Sequence, residues 1–151
     1  MKYKIIFILF FFMILIISCN SKQLNKDTNI LQFRLVNDTK NDNNTEFIMK
    51  NSDEKLFIDN EILLNLAEVK NISKIKNNFG LYSIEIIFNK TGKIKFEQIT
   101  KNNIEKRLGL ILDNELLSAP IIRSKIISGK VSFGNYTVEE LESILKKFFQ
   151  D

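Results

Sequence analysis

Asp113-Asn114 leaves the chain little freedom. The pair stands between an apolar run over 108–112 and a short returning strand over 115–118. A two-residue link between antiparallel strands asks for positive φ, which Asn and Asp tolerate better than other residues with a Cβ. Pro120, the only proline, follows. It has no N–H to give to a ladder, so it ends the returning strand or leaves it at a sheet edge. Residues 121–127 read as an apolar connector with Arg123 and Lys125 pointing outward. Ser128-Gly129 turns the chain into a short strand over 130–133, which Gly134-Asn135 ends. Thr137-x-x-Glu140 is a capping box. It opens a helix over 138–149 expected to bury Val138, Leu141, Leu145 and Phe148, with Ile144 beside them.

The earlier part of the chain supplies partners for this stretch. Alternating apolar residues at 31, 33 and 35 predict a strand over 30–36. Residues 46–50 and 55–59 flank Asn51-Ser52-Asp53-Glu54 and read as a hairpin. The run 62–69 fits a short helix or a turn packed under the sheet. Residues 71–80 read as a polar connector. In 81–88, Tyr82, Ile84, Ile86 and Phe88 share one face of a strand. Asn89 is placed to cap a helix over 90–106, whose narrow apolar stripe is Phe96, Ile99 and Ile104. The fold class expected is α+β: a mostly antiparallel sheet with two main amphipathic helices on one face.

The residue inventory excludes much chemistry. There is no histidine and a single cysteine. That removes His-based acid–base catalysis, His or multi-Cys metal sites and any intramolecular disulfide. Ser118 has no base to activate it. Ser73-x-x-Lys76 matches a Ser-Lys spacing but has no companion motif. Asp38, Asp42 and Asp53 lie in Asn-rich loops without a calcium-loop pattern. The expectation is no enzyme, no cofactor and no metal. Beyond Lys2 and Lys4 the chain carries 20 basic and 18 acidic residues, too balanced for a nucleic-acid surface.

The first residues read as a targeting signal. Lys2 and Lys4 precede an unbroken apolar run over 5–17. Its thirteen residues fit a signal-peptide core and fall short of the roughly 18–20 that span a bilayer. Leu15-Ile16-Ile17-Ser18-Cys19 resembles a bacterial lipobox. The resemblance implies cleavage before Cys19 and acylation of its sulfur, palmitate being a typical chain. The alternative is an uncleaved anchor with a free thiol. On the first reading residues 1–18 are a lipoprotein signal peptide, 19–29 a lipidated flexible tether reaching about 18 Å, and 30–151 the folded domain. The domain would sit outside the cytoplasm in the bacterial cell envelope, held to membrane lipid through Cys19.

Several elements together carry a wider resemblance. They are Phe33-Arg34-Leu35-Val36, Phe88-Asn89, Gly92, Lys106-Arg107-Leu108, Leu112-Asp113-Asn114 with Ser118-Ala119-Pro120, Ile126-Ile127-Ser128-Gly129 and Gly134-Asn135-Tyr136-Thr137-Val138-Glu139-Glu140. In order and spacing they resemble the first periplasmic, head domain of the SecD/SecDF protein-export subunits. Asn114 stands where that pattern has Gly, a substitution that keeps the positive φ. The resemblance implies a non-catalytic binding module linked to protein export, with the Sec translocon or secretory polypeptides as partners. An envelope structural or interaction lipoprotein that keeps the fold without an export role is the alternative. An edge left open near Pro120 could take an extended peptide as an added strand, which makes Ile121, Ile122 and Arg123 the candidate protein-binding residues.

Overall fold

Asp113 at φ 52° and Asn114 at φ 60° make the tight turn between two antiparallel strands. The computed structural model describes residues 23–150; the apolar run 5–17 and the expected acylation site Cys19 lie outside the described residues. In chain order the elements are β1 (Gln23–Leu24), β2 (Leu31–Asn37), β3 (Asn44–Ile48), β4 (Lys55–Asp59), β5 (Leu64–Asn65), β6 (Val69–Lys76) and β7 (Tyr82–Phe88). Then come α1 (Lys90–Asn102), β8 (Leu108–Leu112), β9 (Glu115–Ser118), β10 (Lys130–Tyr136), α2 (Val138–Phe148) and β11 (Phe149–Gln150).

The larger sheet runs β3-β4-β2-β8-β9, with β5 also paired to β2, and every named pairing is antiparallel. It curls back on itself. Met49, just past β3, bridges Leu116 of β9 in parallel, and the Lys50 N–H donates to the Leu116 carbonyl at 2.8 Å. The curl encloses a small core of Leu56, Ile58, Ile111, Leu116 and Ala119. The second sheet is β10-β7-β6. The main core is shared by the two sheets and both helices: Phe33 of β2, Ile84 and Phe88 of β7, Phe96 of α1, and Leu141 and Phe148 of α2. The α+β class with two packed helices is as expected.

Three phenylalanines lock the centre of that core. The ring centroids of Phe33, Phe88 and Phe96 lie 4.8–6.2 Å apart. Burying such a side chain contributes roughly 1.5–3 kcal/mol, and each favourable ring pair adds about 0.5–1.5 kcal/mol. The caps that aim the helices are those read from the sequence. The Asn89 side chain accepts from the Gly92 N–H at 2.9 Å. Thr137 and Glu140 form the reciprocal capping box, with bonds of 3.3 and 2.9 Å.

The structure departs from expectation in several places. Residues 69–76, read mostly as a connector, form β6, which pairs with β7 along its length. Helix α1 stops at Asn102, short of Lys106. Glu105 takes φ 68°, and its N–H bonds to the Ile122 carbonyl instead of continuing the helix. Ile104 is consequently exposed and no part of the apolar stripe. Strand β10 does not end at Gly134. It passes through a bulge there, at φ 80°, and rejoins β7 at Tyr136. Val138, in the first turn of α2, is exposed, while Ile144 is buried. From Gln23 onward the expected tether lies on the domain. Gln23 and Leu24 pair with Gln150 and Phe149, the Asn25 N–H donates to the Phe148 carbonyl, and Leu24 packs on the main core.

Candidate functional site

Extended backbone alternates its side chains, so three consecutive residues cannot all face one way. That rule sorts the three candidates after Pro120. The segment pairs with the chain that leads into β8. The Leu108 N–H donates to the Pro120 carbonyl at 2.9 Å, the Ile122 N–H to Lys106 at 2.8 Å, and the Glu105 N–H to Ile122 at 2.9 Å. Arg107 and Ile121 face each other in this bridge. The edge expected to be open near Pro120 is therefore occupied by the protein itself. Ile121 points out at 41% exposure, and Ile122 points into the core at 6%. Arg123 points out again, its side chain 71% exposed and paired with Glu105 at 3.4 Å. Ile122 is a core residue, not a contact residue.

What the segment builds instead is a cleft. An apolar recess of about 260 Å³ lies between α1 and residues 120–126, walled by Phe96, Leu108, Ile121, Ile122, Ile126 and Val131. Thr100 holds its two sides together. The residue is fully buried, its hydroxyl donates to the Phe96 carbonyl at 2.9 Å and accepts the Ile126 N–H at 3.0 Å. Lys125 reaches across to Glu97 at 3.1 Å, a second tie at the rim. Phe96 and Thr100 as cleft residues escaped the sequence reading. Their spacing of four on one helix face was the available signal.

A second recess, about 350 Å³, adjoins the first through Ile121 and is polar, with Asn37, Asp38, Glu105, Lys106 and Arg107 around it. Arg107 is committed to structure. Its Nε donates to the Ala119 carbonyl at 2.8 Å and its two terminal nitrogens to Glu54 at 2.6 and 3.3 Å. The hydrogen bond from Arg107 holds the Glu54 carboxyl below its usual range. Glu68, beside the first turn of α1, behaves similarly. Burial pushes its carboxyl up, but Lys95 and the Asn65 N–H together outweigh burial and hold it low.

Ser73 and Lys76 sit three apart on a strand and so face opposite sides, which removes the Ser-Lys pairing. Among the described residues no group of three or more acidic, Cys or His side chains is placed to hold a metal ion. The arrangement offers an apolar recess and a braced rim.

Comparison with known proteins agrees with this build. Residues 42–145 match the family model described as SecDF, P1 head subdomain. The protein translocase subunit SecD of Rickettsia prowazekii is 38% identical over 90 residues, 59% of this chain and 17% of that protein. The SecDF subunit of Thermus thermophilus is 36% identical over 83 residues, 54% of this chain and 11% of that protein. The chain thus spans less than a fifth of these two relatives. A solved SecDF structure, described as a membrane component that enhances protein export, superposes with a TM-score of 0.61 at 26% identity, covering 79% of this chain and 62% of that one. A second, SecDF in its super-membrane-facing form, shares the fold at a TM-score of 0.60 and 24% identity, over 79% of this chain and 19% of that one. The order of elements, the capped helices and the match over residues 42–145 place this chain in the SecDF P1 head family.

Proposed function

We propose that this chain is a lipid-anchored head domain that holds polypeptides during export, through the apolar cleft beside Ile121, without catalysing a reaction. The cleft is the observation that carries the reading. Its volume, about 260 Å³, is below the roughly 300–1,000 Å³ typical of small-molecule sites. It suits one or two apolar side chains of a longer ligand better than a whole metabolite. Thr100 and the paired segment 120–122 keep it formed without a ligand, which lowers the cost of binding. Kinship supports the choice of ligand: the matched relatives are protein translocase subunits, and the solved SecDF is described as enhancing export. The partner is accordingly a translocating secretory chain or the Sec translocon beside it. Cys19, acylated after cleavage before it, is the anchor, and the domain works outside the cytoplasm at the membrane surface.

Ile121→Asp places a charge at the cleft mouth, on a side chain already 41% exposed, so the fold is retained. Cells carrying only this variant should clear pulse-labelled secretory precursors more slowly than wild type. An unchanged rate overturns the export role. A deletion strain with normal export and altered envelope integrity would favour the interaction-lipoprotein reading instead.

A further inference from the structure

With the edge near Pro120 occupied, the longest strand at an open sheet edge among the described residues is β6; β10, at the other end of the same sheet, is one residue shorter and interrupted by its bulge at Gly134. Strand β6 pairs with β7 on one side and has no strand on the other among the described residues. No backbone group of residues 70–76 bonds outside that pair among those residues. Eight residues is long for an open edge, and its lysines and the bulge between Val69 and Asn71, not shortness, are what guard it against indiscriminate pairing. Exposed apolar side chains line up with it. Ile75 is 41% exposed, and Phe79, at the tip of the β6–β7 hairpin, is 90% exposed. The tip is braced: the Asn77 side chain accepts the N–H groups of Phe79 and Leu81 at 2.9 and 3.0 Å and donates to Asn135 at 3.2 Å. Phe79 is thus held out in solvent by a bonded frame.

The charges select the occupant. Lys70, Lys74 and Lys76 are all exposed along β6. Lys74 pairs with Glu142 on α2, and Lys76 lies over the Tyr82 ring. A second copy is a poor partner: with Ser73 of one copy opposite Ser73 of the other in an antiparallel pair, Lys70 of one faces Lys76 of the other, and with Ile72 opposite Ile72, Lys70 faces Lys74, and like charges directly opposite destabilise a pair. A strand without basic residues meets no such penalty. Asn71 and Ser73, the remaining polar positions, read no particular side chain, so recognition falls to the backbone.

We propose that the outer edge of β6 is a second binding site, where an extended, uncharged or acidic stretch of an exported polypeptide adds as a strand, with apolar side chains against Ile75 and Phe79. This rests on the reading that the ligand is an exported polypeptide. It adds a sequence-tolerant grip to the side-chain cleft at Ile121.

The test uses the full chain in detergent micelles and a peptide as long as β6, alternating Thr and Val with an Asp near each end. Two twins serve as controls, one N-methylated at alternate amides and one with Lys for Asp. The parent peptide should slow amide hydrogen exchange in residues 70–76, and keep doing so in Ile121→Asp. The N-methylated twin, which loses about three backbone bonds, should bind on the order of 100-fold more weakly. The Lys twin should bind several-fold more weakly. Equal binding of parent and N-methylated peptides overturns the edge site. So does protection confined to residues 120–126, an outcome that leaves the cleft reading intact. Adducts joining β6 of two copies overturn it in favour of self-association. If no peptide protects either region and Ile121→Asp exports normally, the polypeptide-binding reading fails with it.

Discussion

Tyr136 is 5% exposed and its hydroxyl has no hydrogen-bond partner among the described residues. Burial, with Glu140 and Glu115 nearby, pushes its pKa up to about 12, so the phenol stays protonated at any ordinary pH. A buried hydroxyl without a partner contributes desolvation cost and no bond. Tyr136→Phe should therefore be neutral or stabilising by up to about 1 kcal/mol in a denaturant melt; a loss above that size would reveal a partner. The ring itself has a role, since it lies against Gly134 at φ 80°, where a Cβ would collide with it. Glu68 gives a pH dependence. Its folded pKa lies below the ordinary 4.5. Its contribution is therefore complete above the unfolded value and is lost as pH falls through the folded one. Glu68→Gln should flatten the acid limb of a stability–pH curve below about pH 4.5 and leave its slope near neutral pH unchanged; an identical acid limb would contradict this.

At the scale of elements, legibility depended on how local the cause was. The β8–β9 hairpin, both helix caps and strands β2 and β7 follow from residues within a few positions of one another, and all were read. Strand β6 was missed because its apolar residues, Val69, Ile72 and Ile75, recur every three positions, a spacing unlike a strand's. A bulge between Val69 and Asn71 explains it. The extra residue sets Val69 opposite Phe88 and Ile72 opposite Ile86, both on the core face, and leaves Ile75 on the other. Alternation cannot show in a bulged edge strand that is half exposed. Ile121 and Arg123 were legible as exposed, but Ile122 turned inward when the segment paired with residues 105–108. That pairing is a tertiary fact with no local signal. Gly92 shows two effects in conflict. Gly→Ala in a helix ordinarily gains about 1 kcal/mol. Here a Cβ would lie 2.5 Å from the Glu68 carbonyl oxygen and 2.8 Å from its Cβ, and backbone cannot swing aside as a side-chain tip can. Overpacking of about 1–3 kcal/mol should win. Thermal melts of Gly92→Ala should show a net loss; a gain would mean the 66–68 turn yields freely.

Across the whole molecule, two sheets and two helices share one core, and the curled half of the larger sheet adds a small second one. The curl closes through Met49 and Leu116, far apart in sequence, so nothing local announced it. The cleft forms where α1, the start of β8, the 120–126 segment and β10 converge, which is why its walls are scattered from Phe96 to Val131. The central claim is that this cleft meets exported polypeptides. Photo-crosslinking in living cells from a reactive residue at position 121 tests it most directly, with exposed Glu61, which lines neither recess, as the control position. Adducts with secretory chains or Sec subunits are expected from position 121 and none from position 61. Absence of both kinds of adduct from position 121, in a chain that is folded and present at wild-type level, would contradict it.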